Sequence, residues 1–187
     1  MSKTPFRAPA RETTADRAIA ALLALASERP WGEISLREIA ERAGEPLADL
    51  YAAANSKHAL LAHLSDRFDR AALATAATPG ADVHDRLFDA VMARLEAMAA
   101  DREALIAIAR GGGLLALAPH LPRTARAILE AAGVEATPPR LAAMTAVWAR
   151  TAQVWRDDEG ALNRTMAEID KRLKQMRRDL GRIGAGF

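Results

Sequence analysis

ISLREIAERAGEPLADLYAAANSKHALL, residues 34–61, decides the fold. Ser35 is followed three residues later by Glu38, a capping box in which each side chain satisfies an orphan backbone N–H of the first helical turn. A helix therefore starts here. Leu36, Ile39, Ala40 and Ala43 fall at helical spacing on one face, and Arg37, Glu38, Glu41 and Arg42 take the other. Gly44 supplies the permissive backbone that ends a helix. Pro46 suits the first turn of the next, because its missing N–H would be unpaired there anyway. That second helix runs from about Pro46 to Ala54, packs Leu47, Leu50 and Tyr51, and yields at Asn55-Ser56 to a third that starts near Lys57.

Two short helices joined by a tight turn have the spacing of a helix-turn-helix, whose second helix normally enters the major groove of DNA. The wording ISLREIAERAG, then Leu50-Tyr51, then SKHALL from Ser56, resembles the N-terminal domain of TetR-family regulators. The motif resemblance covers roughly residues 14 to 70, and beyond it the all-helical layout and the chain length agree. It implies an all-α, TetR-like chain of about nine helices. Residues 1–56 would form a basic arm and a three-helix DNA-binding domain, and residues 57–187 a helical ligand-binding and dimerisation domain. No cofactor is implied.

The chain departs from the family where DNA is read. Glu45 and Pro46 stand where the family usually has an apolar residue and a capping serine, and Ala53 and Ala54 where it usually has an aromatic pair. Between Glu45 and Asn55 there are two acids, Glu45 and Asp49, and no Lys or Arg. Affinity for DNA comes from phosphate neutralisation, and specificity from Arg, Lys, Asn or Gln on base edges. This helix has little of either, so weak DNA binding is expected, carried by Arg7, Arg11, Arg37, Arg42 and Lys57. Tyr51 either reaches a phosphate or fills the three-helix core with its ring.

The whole chain has 187 residues, 50% of them apolar and only 4% aromatic, which suits closely packed helices rich in Ala and Leu. It contains no cysteine, so a disulfide framework and a thiolate metal site are excluded. No apolar run approaches the roughly 18 residues of a membrane span, and MSKTPFRAPARETT has no apolar signal core. A cytoplasmic protein is expected. Net charge is +2, but residues 1–17 carry +2 and residues 161–187 carry +4, which leaves −4 on the body between two basic ends.

Met1 to Glu12, with Pro5 and Pro9, reads as an arm that either lies along DNA or is simply a basic terminus. Thr13 or Thr14 caps the first helix, which presents Ile19, Leu22, Leu23 and Ala26 and ends near Glu28, with Trp31 plugging the corner after Pro30. The fourth helix is expected from Lys57 to about Ala77, with Leu60, Leu61, Leu64, Phe68 and Leu73 on its buried side and a break at Thr78-Pro79-Gly80. Leu87, Val91, Leu95 and Met98 mark the fifth, and Glu103 to Ile108 the sixth. Gly111-Gly112-Gly113 then marks a kink or a close helix crossing; a phosphate cradle is disfavoured, since no Lys-Ser/Thr follows and no strand precedes. A seventh helix runs from Arg123 to Gly133.

Thr137-Pro138 starts the eighth helix, in which Leu141, Met144, Trp148, Thr151 and Trp155 repeat at steps of 3 and 4. In the ninth, Leu162, Met166, Ile169, Leu173, Met176, Leu180 and Ile183 keep a heptad seam. Two such seams resemble the last helix pair of TetR-family proteins, which packs with its symmetry mate as a four-helix bundle. A homodimer is expected, with Leu141, Met144, Trp148, Trp155, Met166, Ile169 and Leu173 at the interface. The ninth helix also carries Lys171, Arg172, Lys174, Arg177 and Arg178, and its basic second half, projecting beyond the body, would suit an anionic membrane surface.

His58, His63, His84 and His120 have no i, i+4 pair, so no metal site is expected. No nucleophile motif or glycine-rich phosphate loop appears, and catalysis has no constellation, so the chain is not read as an enzyme. An all-helical body rich in Leu, Met and Trp offers instead either a plain packed core or an apolar cavity for a small molecule or lipid. Leu95, Met98, Leu105, Ile108, Leu115, Leu121, Ile128, Met144 and Trp148 are its expected lining. Three functions compete. One is a one-component regulator that couples double-stranded DNA to an apolar effector. Another is a lipid- or quinone-binding accessory role without DNA, because Asp89-Ala90-Val91-Met92-Ala93-Arg94-Leu95 is similar to a tract in the lipid-binding accessory protein of ubiquinone biosynthesis, which has a TetR-like fold. The blandest is a dimer whose DNA site has decayed.

Overall fold

In the computed structural model of the chain, residues 12–75, 80–158 and 162–187 are described, and they contain nine α-helices. Thr13 opens α1 (Thr14–Glu28) with a capping box closed by Asp16, and Ser35 opens α2 (Leu36–Ala43) with the expected box to Glu38. The bonds from Ser35, with Arg29 beside them, hold the Glu38 carboxyl down at about 2. The box therefore stays ionised throughout the physiological range. Gly44 closes α2 at φ 66°, a left-handed conformation that side chains with a Cβ resist.

Pro46 is not in the first turn of α3 (Leu47–Ala53) but caps it from an extended conformation, so the turn is one residue longer than expected. Leu50 is buried there while Tyr51 is 60% exposed, which corrects the reading of its ring as core. Ser56 caps α4 (Lys57–Leu73), which ends earlier than expected and leaves Leu73 at the surface. The arm, including Arg7 and Arg11, the break at Thr78-Pro79 and part of the turn after Asp158 lie outside the described residues.

The remaining helices are α5 (Val83–Ala99), α6 (Arg102–Arg110), α7 (Leu121–Ala131), α8 (Pro138–Asp157) and α9 (Asn163–Arg182). A 3₁₀ segment, Gly113–His120, joins α6 to α7. The first helix packs on α2, α3, α4 and α6, and α4 on α5 and α7. On the far side α8 lies between α7 and α9, and α9 also rests on α5. One contiguous apolar core runs from Ile19 and Leu22 to Leu173 and Leu180.

That packing corrects the interface assignment. Met144, Trp148, Trp155, Ile169 and Leu173 are each at most 4% exposed within a single chain, so they have no surface left for a second copy. The two seams are covered by α5 and α7 together with each other, and the single layer suffices after all. Only Leu141, half-buried, and Met166, 40% exposed, keep apolar surface.

The second half of α9 does not project either. Met176 and Leu180 are buried, and Arg140 on α8 donates Nε to the Ala185 carbonyl at 3.0 Å, tying down the chain that follows. Its bases are largely paired: Arg172 with Glu168, Lys174 with Asp170, and Arg177 with Asp82, just before α5. A helix lying on a bilayer needs a free apolar face, and this one spends its face on the core. No described helix is long and apolar enough to cross a membrane.

Candidate functional site: a lined cavity and an acidic helix-turn-helix

The helix-turn-helix is held by its own charges. Arg17 on α1 pairs with Glu45 at the turn, the Thr14 hydroxyl donates to the same carboxylate at 3.2 Å, and the pairing holds Glu45 below the ordinary carboxylate range. The acid that breaks the family pattern thus fastens the turn to the first helix. Arg42 makes a bidentate pair with Glu28 at 2.9 and 2.6 Å and would have to leave it to reach a phosphate. Lys57 is withdrawn from the expected DNA contacts. Its ammonium donates to the carbonyls of Trp31 and Ile34 at 2.6 and 2.9 Å and sits 4.4 Å from the Trp31 ring, where burial pulls it below its ordinary value.

What remains exposed on α3 is Ala48, Asp49, Tyr51, Ala52 and Ala53, with Arg37 at the surface of α2. Residues 12–56 carry four bases against eight acids. A phosphate backbone approaching this domain meets a net negative surface.

In the body, α4 to α8 and the 3₁₀ segment enclose a cavity of about 300 Å³. Met98, Leu105, Leu115, Leu121 and Trp148 line it as expected, but Leu95, Ile108, Ile128 and Met144 do not. Those four are fully buried against neighbouring helices and belong to the packed core. Leu61, Leu64 and Phe68 complete the apolar wall from α4, and exposed Leu115, Ala149, Gln153 and Arg156 mark the mouth.

The inner end is polar. Arg94, 3% exposed, donates Nε to Asp69 Oδ1 at 2.8 Å and Nη2 to Ser65 Oγ at 2.9 Å, while its Nη1 meets the Met98 sulfur at 3.0 Å. Thr124 donates its hydroxyl to Asp69 Oδ2 at 3.3 Å. The guanidinium lies 4.2 Å from the centre of the Trp148 ring, a cation–π contact inside the protein. Burial pulls Arg94 below its ordinary value and Asp69 pulls the other way, and an arginine keeps its proton under either influence. Neither residue of this pair stood out in the sequence by type. The signal was position: Ser65 and Asp69 share a face with Leu61, Leu64, Phe68 and Ala72, and Arg94 sits between Val91 and Met98 in the buried stripe of α5.

Three histidines that are scattered in sequence, His58, His63 and His120, border one surface hollow with Asp66 and Arg123. Among the described residues no group of His, Asp and Glu is arranged to hold a metal ion.

Solved structures superpose on nearly the whole chain. A TetR transcriptional regulator from Nitrosomonas europaea matches with a TM-score of 0.68 and 20% identity, over 88% of this chain and 98% of that one. The fold is TetR-like. A TetR regulator from Rhodococcus sp. RHA1 matches with a TM-score of 0.64 and 19% identity, over 87% of this chain and 94% of that one. The fatty acid degradation regulator FadR from Bacillus halodurans matches at 0.53 and 16%, over 90% and 96%. No protein-family model matches the sequence, and no curated protein matches it either. Within this TetR-like frame α3 is the second helix of the helix-turn-helix, and the cavity is in the helical body.

Proposed function

We propose that the chain is a ligand-responsive regulator of the TetR type, which holds an apolar small molecule in the body and contacts double-stranded DNA weakly through its N-terminal domain. The observation that carries this reading is the apolar cavity with its buried polar end, a form typical of small-molecule sites. Similarity to structures of regulators supports the assignment of type. Division of labour follows the sequence boundary, with DNA contact in residues 1–56 and ligand binding and dimerisation in residues 57–187. A second copy would pack on the outer faces of α8 and α9, where Leu141, Ala142, Ala146 and Met166 reach the surface.

Coupling requires that ligand and DNA favour different arrangements, and Trp31 supplies a route. It sits at the corner before α2 and touches the glycine run that leads into the segment lining the cavity. DNA contact then rests on Arg37, Arg42, Arg7, Arg11 and Tyr51. Fluorescence anisotropy with pooled random duplexes tests the reading. Expected is a dissociation constant in the micromolar range or weaker at physiological salt, with a log–log salt slope of no more than about 4. Nanomolar, sequence-selective binding with a steep slope would overturn the weak contact. Identical titrations for free and ligand-loaded protein would overturn the regulator.

The second reading, a lipid- or quinone-binding accessory protein with a TetR-like fold and no DNA target, is favoured by the acid excess of residues 12–56. Complete absence of DNA binding at low salt, where surface charges act most strongly, would select it.

A further inference from the structure

We infer that the cavity selects apolar molecules that end in a neutral hydrogen-bond acceptor, a carbonyl or an ether, over those that end in a carboxylate. This rests on the small-molecule reading above and narrows it to a ligand class.

The inner end offers donors without net charge. A guanidinium has five N–H groups. Here Nε–H goes to Asp69, Nη1 spends one N–H on the Met98 sulfur, and Nη2 serves Ser65 with a longer reach of 3.5 Å to Thr124. One Nη1 N–H of Arg94 is left with no acceptor among the described residues. Ser65 accepts from Arg94 and its own proton has no acceptor among the described residues, whereas the Thr124 proton is spent on Asp69. Arg94, Ser65 and Thr124 all line the cavity. Two donors are thus left unspent on residues that line the apolar cavity, for a ligand oxygen to accept from.

Charge decides which oxygen. The cation at the inner end is already neutralised by Asp69 at 2.8 Å, and the arginine at the mouth, Arg156, is paired with Asp157. A ligand carboxylate would put a second anion beside the same guanidinium and bury an uncompensated negative charge, which is far more costly than a satisfied neutral group. A carbonyl or ether oxygen uses the donors and adds no charge. Size is limited as well: about 300 Å³ lies at the lower end of the roughly 300–1,000 Å³ of small-molecule pockets.

Isothermal titration calorimetry at about pH 8, where carboxylates are ionised, compares 2-decanone, decanoate below its micellar concentration and decane. Expected is 2-decanone binding at least tenfold tighter than decanoate and tighter than decane. Ser65→Ala should weaken 2-decanone about fivefold, the loss of one hydrogen bond, and leave decane unchanged. Decanoate binding as tightly as 2-decanone, or Ser65→Ala weakening all binders alike, overturns the inference and leaves the small-molecule reading standing. Binding of none of the three overturns that reading and the inference with it.

Discussion

Arg94→Met is expected to lower the unfolding free energy by about 3–5 kcal/mol, because removing one partner of a buried pair strands the other. Arg94 and Asp69 are both inside the body, their side chains 4% and 8% exposed, and Asp69 keeps only the Thr124 hydroxyl when the guanidinium is gone. Methionine fills most of the volume, so the cost measures charge rather than a cavity. The double variant Arg94→Met/Asp69→Leu removes both charges and should recover to within about 1 kcal/mol of the natural chain, or exceed it. Urea unfolding followed by far-ultraviolet circular dichroism reads both. A loss below about 1 kcal/mol in the single variant would mean that the pair is solvated or absent.

The corner at Trp31 carries the second large effect. A Cβ built on Gly111 would lie 2.6 Å from Trp31 Cβ, and one on Gly113 would lie 2.7 Å from the Trp31 ring and 2.6 Å from Ile108 Cγ2. The ring is pinned by Lys57 above it and by His58 at 5.5 Å, so it has nowhere to yield. Gly113→Ala should therefore cost about 2 kcal/mol through overpacking. Trp31→Ala should cost about 3–5 kcal/mol, through lost contact and an unfilled space between the helix-turn-helix and α6. In the combined variant the clash with the Trp31 ring is gone and Ile108 Cγ2 can shift into the vacated space, so the two losses should fall short of additivity by at least about 1 kcal/mol. Strict additivity in the double-mutant cycle would show that Gly113 and Trp31 do not meet.

Much of the fold was legible because capping and periodicity are local. The Ser35–Glu38 box, the Gly44 stop and the break at Asn55-Ser56 can each be read from a few neighbouring residues, and each forms as the pattern requires. The glycine run was legible as a kink or a close helix crossing; it ends α6, and what approaches it is the side chain of Trp31, some eighty positions away. Reading two apolar seams as a dimer interface failed for a physical reason. A heptad pattern records that a face is covered but not by what, and α5 and α7 cover it within one chain. The same ambiguity left Tyr51 open, whose ring is amphipathic and fits either a core or a surface, and misplaced Lys57, whose charge looked available until the turn carbonyls around it were in place.

The cavity was half legible. Apolar helix faces name the residues that point inward, but whether inward means packed core or lining depends on how the helices diverge. Ile108, Ile128 and Met144 are core and Met98, Leu105 and Trp148 are lining for that reason. Arg94 and Asp69 were missed because a charged residue is assigned to the surface by default. Their places inside apolar stripes were the available clue.

The proposed function requires the cavity to be a ligand site, and filling it is the decisive measurement. Ala152 on α8 lines the space, so Ala152→Trp places a ring in it. Calorimetric titration of both proteins with 2-decanone at several temperatures should show one saturable site per natural chain, with a negative heat-capacity change from apolar burial. Binding should be lost in a folded Ala152→Trp variant. Equal affinity in the two proteins would place the ligand elsewhere and contradict the account.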